Sequence, residues 1–478
     1  MLFNTLGFAA FFIFIFVFYW FVVNKNLKFQ NLFLLATSYF FYSSWDWRFL
    51  FLLIFSTVLD YFSGIQIEKS TSVGRRKFWF WSSIAVNLGF LGVFKYFNFF
   101  ADSFKELLSN FGLQVNTWSL IVILPIGISF YTFHGLSYVI DVYKKRIAAE
   151  KNYVDYAVFV SFFPLLVSGP IERATHLLPQ IKKERTFNYN QAVDGLRQIL
   201  WGLFKKMVIA DNCAEYVNLI FNNSSHYFGS TLVIGAVFFA FQIYGDFSGY
   251  SDIALGVSRL LGIELLKNFS FPYFSRDIAE FWRRWHISLS SWFKDYLYIP
   301  LGGSKRGKWM QVRNTFVIFL VSGFWHGANW TFIVWGLLNA IYFLPLLLFS
   351  KNRDNIGIVA FNRTFPTFKE FISILITFGL TTFAWIFFRS KNLHQAFEYI
   401  SQIFSKSLFS LPDIRPTYLI VLILFFISME WLGRKDNYGL EKLGFQYNIT
   451  FRCLLYIVLF IAIFIFGAKE QQFIYFQF

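Results

Sequence analysis

A histidine lies inside a long apolar stretch of the sequence. His326 stands in GFWHGAN (residues 323–329), within the apolar run 314–349. An ionisable side chain in such a run usually faces a helix-bundle interior or a water-filled path. Burial favours neutral imidazole, in which one nitrogen accepts a proton and the other donates a hydrogen bond. His326 therefore suits a general base for a hydroxyl nucleophile; the alternative is a buried histidine that ties helices together.

A second histidine lies in a segment of mixed charge and aromatic rings. His286 belongs to SRDIAEFWRRWHISLSSWFKDY, residues 275–296. Aromatic residues recur there at near-helical spacing, and Ser275 is a suitable N-cap. The segment predicts an amphipathic helix, and the simplest use for it is an interfacial helix with Trp, Tyr and Arg anchors.

Metal binding is weakly supported. His286 and His326 are far apart in the chain, and no carboxylate or cysteine completes an evident set of ligands, so we expect no metal. Asp246 and Asp252 resemble a carboxylate pair, but six residues apart on a helix they point away from each other. We expect each carboxylate to cap a helix or to support the site by hydrogen bonding.

The four other histidines carry less weight. His176, His226 and His394 lie near polar or loop-like sequence, which favours surface positions. His134 lies near the end of an apolar span, where a structural hydrogen bond to a carbonyl or hydroxyl and a functional role are equally good interpretations.

Composition indicates a membrane protein. The chain has 478 residues, of which 56% are hydrophobic and 15% charged, and its net charge is +16. An ordinary soluble domain has about 25% charged residues. The basic residues form short clusters between apolar runs, which favours membrane topology over nucleic-acid binding. Two cysteines, Cys213 and Cys453, lack a metal-like or redox-like spacing.

The elements that must position these residues are membrane helices. About 20 helical residues cross a hydrocarbon core. The sequence predicts one all-α, polytopic membrane domain over residues 1–478, with about 11–13 membrane-embedded helices. Its candidate segments are 6–23, 29–45, 49–67, 78–97, 118–140, 228–244, 314–349, 371–388, 418–432 and 451–466.

Two segments depart from a simple crossing. The run 314–349 is longer than one crossing, so we expect it to break at 323–329 and to create an internal pocket beside His326. The segment 154–169 is short and is followed by Pro170, which predicts a re-entrant or interfacial segment.

Basic residues predict the topology. The first apolar run lacks a basic region before it, and Lys25 and Lys28 follow it, so we interpret it as a retained span with the N-terminus outside. Further basic clusters follow the third span, at 75–77, and the fifth, at 144–146. This alternation is consistent with that orientation.

Several motifs together resemble a known family. They are FFP at 162–164, SGPI at 168–171, DFSGYSD at 246–252, FWRRWH at 281–286, LYIPLGG at 297–303 and GFWHG at 323–327. With them the chain resembles the membrane-bound O-acyltransferase family, particularly the bacterial branch that contains the alginate O-acetylation membrane protein. The family core would cover about residues 120–350.

The resemblance implies roles for individual residues. His326 matches the residue taken as catalytic in that family, and His286 matches a second polar residue that lines the same chamber. The neighbouring candidates for substrate binding are Trp325, Asn329, Asp246 and Trp285. The implied fold surrounds a central tunnel through the cell (inner or plasma) membrane, in which a cytoplasmic thioester meets a hydroxyl acceptor from the other side.

The resemblance also implies substrates and partners. The donor would be acetyl-CoA, or an acyl carrier, used as a substrate with no bound cofactor. The acceptor would be an extracytoplasmic polysaccharide, reached with a polysaccharide-acetylating partner protein on that side of the membrane. Alternatives are D-alanine transfer from a carrier protein towards teichoic acid, a glycan or ion transporter, and a non-catalytic scaffold. A transporter often has paired broken helices, whereas this sequence has no visible internal repeat.

Overall fold

The computed structural model describes residues 1–113, 124–305, 307–445, 448–467, 471 and 474. Within these ranges the protein is helical and has no β-strand. The α-helices, numbered α1 to α20 in chain order, are Leu6–Val17, Leu27–Ser43, Trp47–Lys69, Val73–Leu91, Phe97–Asn110, Ile128–Tyr143, Tyr153–Ser161, Phe163–Leu166, Ala174–Ile181, Tyr189–Leu203, Asp211–Asn222, Gly229–Leu260, Ile278–Arg284, Ile287–Phe293, Lys308–His326, Trp330–Leu348, Phe368–Arg389, Leu393–Ile403, Thr417–Leu432 and Ile449–Phe466.

Short π-helical turns continue four of these helices. They extend α1, α4, α10 and α14, and span Phe18–Val22, Gly92–Tyr96, Phe204–Ala210 and Lys294–Tyr298. Three short 3₁₀-helices are also described, at Ser224–His226, Pro272–Phe274 and Lys406–Phe409.

Six of the described helical segments are long and apolar enough to cross a membrane. They are Trp47–Lys69, Val73–Asn110, Gly229–Leu260, Trp330–Leu348, Phe368–Arg389 and Ile449–Phe466. The apolar helices Leu6–Val22 and Thr417–Leu432 are shorter. Large apolar side chains remain exposed on many of these helices, as expected when lipid rather than water surrounds them. The prediction of an all-α, polytopic membrane protein is confirmed.

Side-chain caps define where many helices begin. The side chain of Asn26 accepts hydrogen bonds from the first turn of α2, and Asp46 and Asn448 act in the same way for α3 and α20. Thr367 and Glu370 form a capping box at the start of α17. Such caps satisfy backbone N–H groups that have no partner inside the helix.

The described chain divides into two compact units. The first comprises residues 1–192 and 257–266, and the second comprises 193–256 and 267–478. The expectation of a single domain over 1–478 stays a prediction.

In the first unit, α3 packs against α4 and α6 around a buried carboxylate. Asp60 of α3 accepts hydrogen bonds from Ser83 Oγ (2.6 Å) and Asn87 Nδ2 (2.8 Å), both of α4. A Cβ at Gly135 of α6 would lie 2.0 Å from Asp60 Oδ2. The three helices therefore meet at a polar contact that a larger residue at 135 would disrupt.

In the second unit, α15 and α16 form a closely packed pair, and α16 also packs against α17. A Cβ at Gly323 would lie 2.3 Å from the Phe332 carbonyl oxygen, and one at Gly336 would lie 2.3 Å from the Phe319 carbonyl oxygen. These two glycines allow the backbones to approach at a point one turn before His326.

Several predicted boundaries need correction. The segment 154–169 forms α7 and α8, two short buried helices separated at Phe162, and the expectation that it is re-entrant or interfacial stays a prediction. The helix predicted at 228–244 continues to Leu260. Gly245 and Gly249 allow the backbone of a neighbouring helical segment to approach closely, and buried lysines neutralise the aspartates of this helix. The predicted span 118–140 includes residues 118–123, which lie outside the described residues, and its described helix begins at Ile128.

Candidate active site

The predicted break beside His326 is confirmed. His326 is the last residue of α15, and Asn329 caps α16 by accepting a hydrogen bond from Thr331 N (3.0 Å). The Asn329 amide also donates to the Lys391 carbonyl oxygen (2.8 Å). A Cβ at Gly327 would lie 2.1 Å from the Phe332 ring, so the turn between the helices requires glycine.

His286 lies at a second break, where the sequence predicted a continuous helix. α13 ends at Arg284, and His286 adopts a left-handed conformation with φ 44° and ψ 54° before α14 begins. Two backbone hydrogen bonds replace those of a helix: Ile287 N donates to Asn268 O (2.9 Å), and Ser270 N donates to Arg284 O (3.0 Å). The prediction of one helix from Ser275 through His286 was therefore wrong.

The N-cap and the charged residues of this segment also differ from expectation. Asp277, not Ser275, caps α13 by accepting from Glu280 N (2.7 Å). Glu280 is itself buried and forms ion pairs with Arg276 (3.0 Å) and Arg284 (2.6 Å). These charges anchor α13 inside the protein rather than marking a solvated helix face, because buried charges require partners.

The fold brings the two histidines together. The ring centroids of His286 and His326 lie 6.3 Å apart, and the residues are 1% and 4% exposed. Trp325 lies beside both rings, with centroid distances of 4.9 Å to His326 and 6.1 Å to His286. Two breaks in separate helical segments thus place two imidazoles and one indole at a single buried point.

Aromatic side chains surround this pair. Trp335 and Phe388 pack edge-on against His326, with centroid distances of 5.2 and 5.4 Å. Phe247 lies edge-on to His286 at 4.6 Å. Sequence reasoning missed all three residues, because an aromatic side chain in an apolar helix carries no signal that separates it from ordinary core.

The ring of His286 has hydrogen-bonding capacity that no described residue uses. Neither of its ring nitrogens has a hydrogen-bond partner among the described residues. Burial lowers the pKa of His286 to about 3, so the imidazole is neutral at physiological pH. It therefore retains one N–H donor and one acceptor nitrogen, and leaving both unpaired in a buried site has a cost in folding free energy.

Trp285 forms part of the aromatic wall behind His286. It is 1% exposed and packs against Phe281 (5.5 Å), Trp385 (5.2 Å) and Tyr244 (6.0 Å). The Tyr244 hydroxyl donates to the buried carboxylate of Glu430 (2.5 Å). Trp285 thus holds the backbone next to His286 within a fixed core.

Asp246 lies in a buried network of charges. Its carboxylate pairs with Lys206 (2.7 Å) and accepts from Ile474 N (2.7 Å), and Lys206 also pairs with Asp211 (2.7 Å). Asp252 pairs separately with Lys205 (2.5 Å). The two lysines stand in an apolar run, 201–210, and that signal could have identified the network from the sequence.

His134, His176 and His394 lie outside this site. His134 Nε2 accepts a hydrogen bond from Glu172 N (3.2 Å), which gives this buried ring a structural role. The side chain of His176 is 37% exposed and that of His394 is 80% exposed. Within the described residues, no group of three His, Cys, Asp or Glu side chains could hold a metal ion.

Comparison with known proteins identifies the family. Residues 105–388 match the model of the membrane-bound O-acyltransferase family. The chain is 37% identical to a probable alginate O-acetylase of Pseudomonas aeruginosa, over 86% of this chain and 78% of the relative. It is 33% identical to a peptidoglycan O-acetyltransferase of Helicobacter pylori, over 95% and 92%.

A more distant relative transfers a different group. The chain is 28% identical to a teichoic acid D-alanyltransferase of Bacillus subtilis, over 56% of this chain and 69% of the relative. The family match covers more than half of the chain and includes both helix breaks. The chain belongs to the membrane-bound O-acyltransferase family and is a multi-pass membrane O-acyltransferase.

Proposed function

We propose that the protein transfers an acetyl group from acetyl-CoA on the cytoplasmic side towards a hydroxyl of an extracytoplasmic polysaccharide. The paired, buried imidazoles of His286 and His326 are the observation that carries this proposal. Two relatives, a probable alginate O-acetylase and a peptidoglycan O-acetyltransferase, support acetyl as the group and a glycan as the acceptor. The membrane would be the inner or plasma membrane, and the tunnel would join its two faces.

In this proposal His326 is the general base. Its neutral imidazole takes the proton from the acceptor hydroxyl as the hydroxyl oxygen attacks the thioester carbonyl carbon. The tetrahedral intermediate then collapses, the carbon–sulfur bond breaks, and the proton held by His326 passes to the leaving sulfur. The products are the acetyl ester and free CoA thiol, so no cofactor, oxidant or metal enters the balance.

His286 would stabilise the charge that develops on the carbonyl oxygen. A neutral imidazole offers one N–H, and the nitrogens of His286 have no hydrogen-bond partner among the described residues. A donor fixed before the reaction stabilises an oxyanion without reorganisation, and removing one such donor typically lowers turnover about 10²–10³-fold. The left-handed backbone at His286 is held by Asn268 and Ser270, which fixes the ring's position.

The aromatic rings that surround the two histidines suit a thioester donor. Trp325, Trp335, Phe388 and Phe247 enclose the two histidines with apolar rings. Excluding water from such a site strengthens its electrostatic interactions and suppresses hydrolysis of the thioester. Trp325, which touches both rings, is the neighbouring residue best placed to contact the substrate.

The other residues that were predicted to contact the substrate also make contacts that stabilise the structure. Asn329 caps α16, Asp246 pairs with Lys206, and Trp285 is enclosed by other rings. We propose that they position the site, with substrate contact by any of them remaining a prediction. A partner protein outside the membrane would complete transfer to the glycan.

The first test measures donor consumption by purified protein. We expect His326→Ala to lower acetyl-CoA consumption about 10²–10⁴-fold, because general-base assistance is typically worth that much. His394→Ala is the matched control, since its exposed side chain lies on α18. A folded His326→Ala protein with normal acetyl transfer would overturn the assignment.

The second test identifies group and acceptor together. Mass analysis of surface glycans from cells with and without the protein should show loss of O-acetyl groups from an exopolysaccharide or from peptidoglycan. Loss of D-alanine from teichoic acid would instead favour the alternative seen in the more distant relative. Substrate flux without acyl transfer would indicate a transporter, and unchanged acetylation in the His326→Ala strain would indicate a scaffold.

A further inference from the structure

A cavity of about 670 Å³ in the first unit lies at the end of the first apolar helix. Its lining includes two basic residues, Lys25 and Arg185, and four aromatic residues, Phe16, Trp20, Phe21 and Phe187. None of them belongs to the histidine site. The cavity combines buried positive charge with apolar rings, a combination that is complementary to an amphiphilic anion.

Arg185 supplies the buried charge. It is 8% exposed, and its guanidinium donates to the side-chain oxygens of Gln30 (3.0 and 3.1 Å) and Asn31. These partners are neutral amides, and the ring of Tyr19 lies 5.6 Å from the guanidinium carbon. Nη1 has no hydrogen-bond partner among the described residues. Asp155, which accepts a hydrogen bond from Asn31 (2.8 Å), also interacts electrostatically with the guanidinium. The guanidinium is therefore held by neutral hydrogen-bond partners and one nearby carboxylate, with a donor left for an anion.

The rest of the cavity favours the same ligand. Lys25 adds an exposed ammonium, while Glu184, the one carboxylate in the lining, is exposed and screened by solvent. Arginine and lysine suit phosphate oxygens, and arginine can bind two of them at once. Two basic residues and one exposed carboxylate thus line the cavity.

The apolar walls extend from this charged point onto a membrane helix. Phe16 and Trp20 pack edge-on against Phe187, with centroid distances of 6.1 and 5.5 Å. Trp20 is fixed by its Nε1 donating to Leu260 O (2.9 Å), whereas Phe21 is 76% exposed. An exposed ring beside a buried cation provides a surface for an acyl chain next to a site for a headgroup.

We propose that this cavity binds the phosphate of an anionic phospholipid, with Arg185 and Lys25 on the headgroup and the phenylalanine rings along an acyl chain. The predicted cytoplasmic location of Lys25 agrees with this, because anionic lipids attract basic residues near the membrane surface. The site is independent of acyl transfer and does not rest on the proposed acceptor or donor.

The test uses the purified full-length protein and native mass spectrometry. Phosphatidylglycerol is titrated against wild type, Arg185→Gln, Lys25→Gln and Lys28→Gln. Lys28→Gln is the matched control because Lys28, in the first turn of α2, lies three residues from Lys25 in the chain but does not line the cavity. We expect about fivefold weaker binding for Lys25→Gln, a larger loss for Arg185→Gln, and wild-type binding for Lys28→Gln.

Two further arms separate the possible ligands. Phosphatidylcholine carries a phosphate without net negative charge and should bind more weakly; inorganic phosphate should not displace phosphatidylglycerol at comparable concentration. Equal binding by all variants would overturn the proposal, as would an equal loss in Lys28→Gln, which would indicate general surface attraction. Displacement by inorganic phosphate would show a soluble-anion site instead. If Arg185→Gln fails to fold, Lys25→Gln against Lys28→Gln decides the outcome.

Discussion

At the scale of single residues, His286 combines two unfavourable features. Its backbone is left-handed, which is uncommon for residues other than glycine, although histidine adopts this conformation more often than most. Its ring is buried, with both nitrogens lacking a partner among the described residues. Such features persist where the surroundings hold them, and they cluster at functional sites. The cost in stability is consistent with a ring kept ready for a substrate.

The depressed pKa of His286 predicts a dependence of stability on pH. In the unfolded chain histidine titrates near pH 6.5, whereas folded His286 has a pKa of about 3. Between these values the unfolded state binds the extra proton, so the free energy of unfolding falls as pH falls, by about 1.4 kcal/mol per pH unit.

We therefore expect His286→Asn to reduce the loss of stability between pH 6.5 and pH 5 by about 2 kcal/mol. Asparagine tolerates the left-handed backbone and does not titrate in this range. Unfolding midpoints of the detergent-solubilised protein at the two pH values provide the measurement, with the exposed His394→Asn as control. An unchanged pH dependence in His286→Asn would contradict the buried, neutral assignment.

At the scale of elements, the position of His326 depends on how closely α15 and α16 approach. Gly323 and Gly336 face each other across the pair, and added Cβ atoms would meet opposing carbonyl oxygens at 2.3 Å. Those atoms are backbone, so they cannot move aside as a flexible side chain would. Small residues allow such close packing of helices in membranes.

Gly323→Ala is expected to separate the two helices and displace His326. Overpacking typically costs about 1–3 kcal/mol, and we expect both a lower unfolding midpoint and a marked loss of acyl transfer. Gly379→Ala in α17 is the matched control, because a Cβ there meets no atom within 4 Å. Equal behaviour of the two variants would show that the close approach is not required.

At the scale of the whole molecule, the net charge of +16 is spread over short clusters between apolar helices. Such clusters are retained on the cytoplasmic side during membrane insertion. The cluster at 75–77 lies in the first turns of α4 and the cluster at 144–146 follows α6, while α5 ends near Ser109 without such an excess. The distribution of charge therefore predicts the orientation of the chain.

This orientation can be tested by cysteine labelling in a background that lacks Cys213 and Cys453. A membrane-impermeant maleimide added to intact cells should label Ser109→Cys and leave Lys77→Cys and Lys144→Cys unlabelled. All three substitutions lie at exposed positions, so permeabilised cells should label each of them. The opposite pattern in intact cells would place the N-terminus in the cytoplasm.

The sequence by itself determined that the chain lies in a membrane, that it is helical, and that one helical run breaks at 323–329. Apolar runs of spanning length and the small residues at 323–329 are local properties, and local properties decide helix formation and its interruption. The motifs around His286 and His326 were sufficient to indicate the family, which the comparisons then showed.

The family resemblance implied that His286 and His326 line one chamber, but only the tertiary structure decided that their ring centroids lie 6.3 Å apart and that α13 ends two residues before His286. The break at His286 depends on two backbone hydrogen bonds, from Ile287 N to Asn268 O and from Ser270 N to Arg284 O. The burial of Glu280 depends on its pairing with arginines, and the enclosure of His326 depends on rings from α16 and α17. Such contacts join segments distant in the chain, and helical periodicity describes only near neighbours.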